Sequence, residues 1–200
     1  MRDLLKKKIL LLFALIFAGC VPSWNPLYTE EDLVFDPLLA GTWTPAQAEE
    51  GAKERWEFTK AGEKLYELQQ TDEEGRKAGF EARLVKLKEH RFLDLYLTKA
   101  EDGVKVNAWA SFSLVPAHLI LKVEQIEPAL KIAAMNPTWM KEFLEQHPDA
   151  IAHRVVSGGN IVLAASTSEL QKFVLEHVND REFFGGPMEL RRNAGSAGKD

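Results

Sequence analysis

The chain has 200 residues, of which 46% are hydrophobic and 28% are charged, and its formal net charge is −5. This length and composition indicate one globular domain and argue against a wholly disordered chain or a multi-span membrane protein. An acidic chain lacks the clustered lysines and arginines that nucleic-acid binding requires. A single cysteine excludes disulfide bonds within the chain and cysteine-rich zinc sites.

The first predicted element is a secretory signal peptide. Arg2 and Lys6–Lys8 precede an unbroken apolar run from Ile9 to Ala18. A helix that crosses a bilayer needs about 20 apolar residues, so this run is too short to span. The basic start and the small residues at its end are typical of a signal peptide. A buried core helix is the alternative, but such a helix has no reason to begin with three consecutive lysines.

The end of this run, Phe17-Ala18-Gly19-Cys20, resembles the lipobox of bacterial lipoproteins, whose usual form is Leu-Ala/Ser-Gly/Ala-Cys. Three positions match, and Phe17 replaces the preferred leucine. The resemblance implies that the Cys20 thiol receives a diacylglycerol and that residues 1–19 are then removed. It also implies that acyl chains on Cys20 attach the protein to the bacterial cell envelope.

The rest of the chain is predicted to form a tether, one domain and a tail. The lipidated cysteine and its tether cover residues 20–40, a single barrel domain covers 41–190, and a disordered tail covers 191–200. Val21 is not the aspartate that often retains lipoproteins at the inner membrane. The resemblance therefore favours the periplasmic side of the outer membrane, if the cell has two membranes.

Between Gly41 and Ile126 the sequence predicts an antiparallel meander of seven strands. Turn-forming clusters recur about every eleven to fourteen residues, and apolar residues alternate between them, as in half-buried strands. A one-residue slip in this alternation, from Leu84 to Val85, predicts a β-bulge. The residues expected on the apolar faces are Trp56, Phe58, Tyr66, Leu68, Leu93, Leu95, Leu97, Ala108, Ala110, Phe112, Leu114, Leu119, Leu121 and Val123.

Helix signals occur at three places. Thr29 followed by three acids predicts a capped helical turn, with a cation site as the alternative interpretation of these carboxylates. Asn136-Pro137 starts a helix that Pro148 ends, and Ser166-Thr-Ser-Glu169 is a capping box that opens a helix over Thr167–Asn179. The polar side of this last helix is acidic, so we expect it to dock onto the barrel rather than onto a membrane. Its apolar face consists of Leu170, Phe173, Val174 and Val178.

About nine strands and two amphipathic helices predict a mainly β, α+β fold. The expected architecture is an up-and-down meander that closes into a small barrel, with both helices packed on it, because closure removes exposed strand edges. Gly41-Thr42-Trp43 is similar to the Gly-x-Trp of the first lipocalin strand. The segment from Cys20 to Trp43 resembles the start of uncharacterised bacterial lipoproteins. These resemblances imply a lipocalin-like barrel, in which we interpret Trp43 as a structural plug at one end.

The sequence predicts no catalytic residue, no cofactor and no metal site. It contains no P-loop, no Gly-x-Ser-x-Gly and no His-Glu-x-x-His. Its histidines lack a fixed metal-ligand spacing, and His177 is interpreted as a hydrogen-bonded core or boundary residue. The five histidines are His90, His118, His147, His153 and His177.

A second set of polar residues alternates with the strand leucines. If this face looked into the barrel, its members would be polar anchors in a ligand cavity. If it looked outward, they would be ordinary surface residues. The leucine faces are more apolar, so we expect them to point inward and the polar set to point outward. The polar set consists of Asp94, Tyr96, Trp109, Ser111, Ser113 and Lys122.

Two functions are compatible with this sequence. The first is a membrane-anchored, non-catalytic lipoprotein that binds a small apolar ligand or lipid in or on its barrel. The second is an envelope scaffold with a filled barrel that binds another envelope protein. An open interior of several hundred Å³ favours the first function, and a packed interior favours the second. In either case we expect Trp24 beside Cys20 to lie at the lipid headgroups, where an indole is favoured.

Overall fold

The computed structural model describes residues 20–49, 51–99 and 117–193, and this part of the chain is mainly β with two α-helices. The strands are β1 (Pro22–Ser23), β2 (Leu33–Val34), β3 (Gly41–Pro45), β4 (Arg55–Lys60), β5 (Tyr66–Thr71), β6 (Lys77–Leu87), β7 (His90–Lys99), β8 (His118–Gln125), β9 (Ala129–Ala134), β10 (His153–Val155), β11 (Ile161–Leu163) and β12 (Met188–Arg192). The helices are α1 (Pro137–Gln146) and α2 (Thr167–His177), and short 3₁₀ turns cover Glu30–Asp32, Pro37–Leu39 and Ser157–Gly159.

Eight antiparallel strands close into a barrel. Strands β3 to β9 follow one another in chain order, and β12 completes the circle between β9 and β3. Leu190 in β12 pairs with Leu130 on one side and with Pro45 on the other. The sequence missed β9 and β12, and the meander that ends at Ile126 does not close by itself. β9 shows no clear alternation because it is buried on both faces, and β12 is a short strand in which only Leu190 is fully buried.

Strands β7 and β8 are direct neighbours in the sheet. Arg91 lies opposite Val123, and Leu93 lies opposite Leu121. The strand predicted around Phe112 lies outside the described residues. The sequence predicted a further strand between these two in the meander. Over their described residues, β7 and β8 pair directly with each other, and no strand lies between them.

The leucine faces point into the barrel, as predicted. Leu93, Leu95 and Leu119 are each 0% exposed, and Leu97 packs partly buried against the same residues. We call the buried side chains of this interior the barrel core. Its members are Leu39, Trp43, Trp56, Phe58, Tyr66, Leu68, Ala78, Phe80, Ala82, Leu84, Leu93, Leu95, Leu119, Leu121, Val123, Ile126, Leu130, Ile132 and Leu190.

A second apolar core lies outside the barrel and joins it to both helices. Phe92 and Ile120 face this outer core from β7 and β8, in alternation with the inward leucines. The predicted apolar face of α2 is buried in it, so the expected docking of this helix onto the barrel is confirmed. The members of the outer core are Val21, Leu27, Leu33, Val85, Leu87, Phe92, Ile120, Ala133, Met135, Met140, Leu144, Ile151, Ile161, Leu163, Ala165, Leu170, Phe173, Val174, Val178, Phe183 and Phe184.

The predicted bulge between Leu84 and Val85 is wrong. Strand β6 pairs with β7 in continuous register from Phe80 to Leu87, and the irregularity lies between Gly79 and Phe80. Leu84 belongs to the barrel core, and Val85 belongs to the outer core. The alternation slips because this end of the strand is buried on both faces, not because the backbone bulges.

The segment predicted as a tether is part of the fold. β1 pairs with β8 and β11, and β2 pairs with β6. Val21 and Leu33 are 2% exposed, and Leu27 and Leu39 are 0% exposed. These apolar residues fill the two cores, so residues 20–40 are fixed to the barrel by burial and by strand pairing.

The described chain also continues past the predicted domain boundary at residue 190. Arg192 is the last residue of β12, and its guanidinium lies 4.2 Å from the centre of the Trp43 ring. The same guanidinium forms an ion pair of 2.8 Å with Glu127. The backbone N–H of Asn193 donates to the Thr42 carbonyl at 2.9 Å. Residues 191–193 therefore belong to the barrel rather than to a tail.

Candidate functional site

Cys20, the predicted lipidation site, lies directly beside the barrel. It precedes β1 by two residues, and its side chain packs partly buried against the barrel core. Burial raises the pKa of the Cys20 thiol to about 12. The thiolate is the nucleophilic form of cysteine, so this thiol is a poor nucleophile once the chain is folded. The predicted signal peptide itself lies outside the described residues.

The helices of the described chain do not include one that is both long and apolar enough to cross a membrane.

The barrel interior, the predicted ligand site, is filled with large side chains. Trp43 and Tyr66 are 0% exposed and Trp56 is 1% exposed, and all three belong to the barrel core. The Trp43 indole N–H donates to the Leu39 carbonyl at 2.9 Å, and Arg192 covers its ring. Trp43 is therefore buried in the barrel core, and its role as a plug at one end remains a prediction. A ligand inside the barrel would have to displace these rings.

Asp94 and His118 form a buried polar pair on the outside of the barrel. Asp94 is 1% exposed, and its Oδ1 lies 2.6 Å from His118 Nδ1. Its Oδ2 accepts the backbone N–H of Leu27 at 2.8 Å. The Tyr96 and Tyr28 rings lie 4.9 and 6.5 Å from the imidazole. A buried carboxylate that orients an imidazole is also part of many catalytic sites, but here its second oxygen fixes the N-terminal segment to the barrel.

The outward direction predicted for the polar face is confirmed for Asp94 and Lys122. Lys122 Nζ donates to the Val178 carbonyl at 3.0 Å, just beyond the end of α2, where a cation is favoured. Asp94 is nevertheless buried, because the folded N-terminal segment covers it. Trp109, Ser111 and Ser113 lie outside the described residues. The sequence placed Asp94 on the correct face but did not connect it with His118, since that contact depends on the register of β7 and β8.

Three further histidines, His90, His153 and His177, occupy structural positions. His177 lies in an aromatic cluster between α1 and α2, with ring centres 4.7 Å from Phe173 and 5.1 Å from Trp139. His153 Nδ1 lies 2.9 Å from the Ile151 carbonyl, and His90 lies 3.2 Å from Glu89. The described residues contain no group of three or more ligands that could hold a metal ion.

The acids at Glu30–Asp32 form a capped turn, as predicted. The backbone N–H and the hydroxyl of Thr29 both donate to Asp32 at 2.7 Å. Gln171 of α2 also donates to Asp32, at 2.8 Å, and to the Leu27 carbonyl, at 2.9 Å. These contacts tie the N-terminal segment to α2.

Two further features have chemistry of interest. The pKa of Glu54 is raised to about 7, chiefly because burial disfavours the charged form and also because the carboxylates of Glu73 and Asp72 lie nearby. A shallow, open groove of about 420 Å³ lies beside Phe143 and His147. A small ligand in this groove would contact the protein without displacing the barrel core.

The comparisons with known proteins supply no relative: no protein family, no curated protein and no solved structure matches this chain.

Proposed function

We propose that this chain is a membrane-anchored, non-catalytic lipoprotein of the bacterial cell envelope, and that its barrel is a filled scaffold whose surface binds another envelope protein. The filled interior is the observation that carries the scaffold role. Trp43, Trp56 and Tyr66 occupy the space that a small apolar ligand would need. Of the two functions compatible with the sequence, this packing favours the second.

The anchoring part of the proposal rests on the lipobox resemblance and on the position of the single cysteine. A buried thiol with a pKa of about 12 reacts poorly, so acylation of Cys20 fits a precursor that is modified before it folds. The proposed location is the periplasmic side of the outer membrane in a cell with two membranes. The proposed partners are the membrane, through acyl chains on Cys20, and one envelope protein.

We also propose that the barrel is lipocalin-like. The closed ring of eight antiparallel strands and the Gly41-Thr42-Trp43 start of β3 support this assignment. The departure is the set of large side chains buried inside the barrel, which includes Trp43, Trp56 and Tyr66.

The anchor is tested by replacing Cys20 with serine. We expect Cys20→Ser to leave the membrane fraction and to lack the mass of a diacylglyceryl group. Phe17→Leu is the matched control, because it restores the preferred lipobox residue and should leave both attachment and mass unchanged. If Cys20→Ser still partitions fully with membranes and its mass differs from the parent by the substitution alone, the anchoring proposal is wrong.

The scaffold role is tested by native mass spectrometry of the lipidated protein, extracted from its own membrane. We expect a stoichiometric protein partner and no small molecule released on denaturation. A stoichiometric small apolar molecule in the parent protein would instead support the ligand-binding function.

A further inference from the structure

An open groove lies where α1 ends and the chain turns towards β10. Its volume is about 420 Å³, and we call it the α1 groove. Its lining consists of Phe143, His147, Pro148, Asp149 and Ala150. The first of these residues is half-buried in α1, and the other four are exposed. The groove therefore combines one wall supplied by the helix with a rim that a binding partner can reach.

The backbone around the α1 groove is held in place by packing and by hydrogen bonds. Leu144 in the last turn of α1 and Ile151 just after the groove are each 5% exposed, and both belong to the outer core. Between them, the His147 N–H donates to the Phe143 carbonyl at 2.8 Å, and the Ala150 N–H donates to the His147 carbonyl at 3.1 Å. The shape of the groove is therefore part of the folded domain.

The helical wall of the α1 groove is aromatic and is supported from both helices. The Phe143 ring stacks on Trp139 with ring centres 4.7 Å apart, and the His147 ring lies 4.9 Å from Phe143. Phe143 also lies 5.8 Å from Phe173 and 4.9 Å from His177, both in α2. These contacts hold the Phe143 ring at the groove. A wall of this kind accommodates the methylene groups of a long charged side chain.

The charges around the α1 groove favour a cation. The last turn of α1 contains no basic residue, so the partial negative charge at the C-terminus of this helix is not compensated within the helix. Asp149 adds a carboxylate to the lining itself. Residues 142–152 also contain Glu142 and Glu145 but no lysine or arginine. His147 is the one lining residue that can become positive, by protonation.

We propose that the α1 groove receives a basic side chain, arginine or lysine, from the envelope protein that this chain binds. The inference rests on the proposed scaffold function and names the chemistry of its contact. The methylene groups of the basic side chain lie against Phe143, and its cation meets Asp149 and the carbonyl end of α1. An acidic side chain is repelled by the same groups. This contact leaves the barrel core undisturbed.

Charged thiol reagents test the sign of the charge in the groove. Acylation converts the Cys20 sulfur to a thioether, so Ala150→Cys supplies the free thiol of the full lipidated protein. Thr138→Cys, exposed at the opposite end of α1, is the matched control. At about pH 8, where an imidazole is neutral, each variant reacts with a trimethylammonium and with a sulfonate methanethiosulfonate. We expect the ratio of the cationic to the anionic rate to be at least about threefold higher at position 150. Asp149→Asn should lower this ratio, and equal ratios at the two positions overturn the inference.

Charge reversal tests the occupant, by native mass spectrometry of the lipidated protein from its own membrane. Asp149→Lys should lose most of the bound partner protein, whereas Glu67→Lys on the exposed side of β5 should keep it. Both substitutions replace exposed acids, so both variants should keep the parent melting temperature. A partner retained by Asp149→Lys, or lost equally from both variants, overturns the basic contact and leaves the scaffold proposal standing. A parent protein that carries a small cation and no protein partner overturns the scaffold proposal as well.

Discussion

Replacing Asp94 with alanine tests whether the N-terminal segment is an integral part of the fold. The Asp94 carboxylate is buried and contacts both His118 Nδ1, at 2.6 Å, and the Leu27 N–H, at 2.8 Å. The substitution removes both contacts and leaves the Leu27 N–H without its acceptor. If residues 20–40 were a flexible tether, water would replace these contacts at little cost.

The expected magnitude follows from these contacts. A hydrogen bond to a charged group contributes about 1.5–3 kcal/mol, and a buried donor without an acceptor costs about 1–3 kcal/mol. Removal of the carboxylate also removes the cost of burying its charge, which offsets part of this loss. We expect Asp94→Ala to lower the free energy of unfolding by about 3 kcal/mol. For a domain of this size, that loss lowers the melting temperature by about 6–12 °C.

Urea unfolding of the domain without acyl chains measures the loss in the free energy of unfolding. Hydrogen exchange of the peptide around Leu27 shows whether this part of the chain is the part that is destabilised. Asp94→Asn should lose less, because its side-chain oxygen still accepts the Leu27 N–H. Glu67→Ala on the exposed side of β5 is the control, and its effect should stay within about 0.5 kcal/mol. An Asp94→Ala variant as stable as this control, with unchanged exchange around Leu27, would refute the reasoning.

Three further substitutions test the two cores and one half-buried carboxylate, that of Glu54. Leu95→Ala should lower the free energy of unfolding by about 2–5 kcal/mol, measured in urea, and a loss below 1 kcal/mol would mean that the barrel is loosely packed. Phe173→Asp places a charge in the outer core and should cost about 3–5 kcal/mol. An unchanged melting temperature without lipid would show that α2 is not part of the core. Glu54 has a pKa raised from 4.5 to about 7, so the folded state binds more protons than the unfolded state between these values. The stability of the parent should fall as the pH rises through this window, and Glu54→Gln should lack that fall in urea titrations at several pH values. Identical pH profiles would contradict the raised pKa of Glu54.

Features set by neighbours in sequence were predictable. The cap at Asn136 accepts the backbone N–H of Thr138 at 3.0 Å, and the box from Ser166 to Glu169 opens α2 as expected. The alternation around Leu93 and Leu95 correctly identified the face that points into the barrel. These features depend on residues at most a few positions apart, so they can be predicted directly from the sequence.

The candidate site was predictable only in part. The single cysteine and its motif led to the proposed lipidation site, but the sequence did not show that Cys20 packs against the barrel. Asp94 was placed on the outward face, yet its contact with His118 joins residues 24 positions apart. The pattern of one strand specifies a face but not the neighbour that will cover it.

The sequence by itself therefore determined most strands of the meander, the caps, the inward leucines and the motif at Cys20. Only the tertiary structure decided that β12 closes the barrel, that Val85 belongs to a second core, and that the N-terminal segment is folded. The physical reason is the range of the interactions. Local hydrogen bonds and periodic burial depend on residues that are close in sequence. Closure, register and the covering of outward faces depend on chain segments that meet only after the barrel has formed.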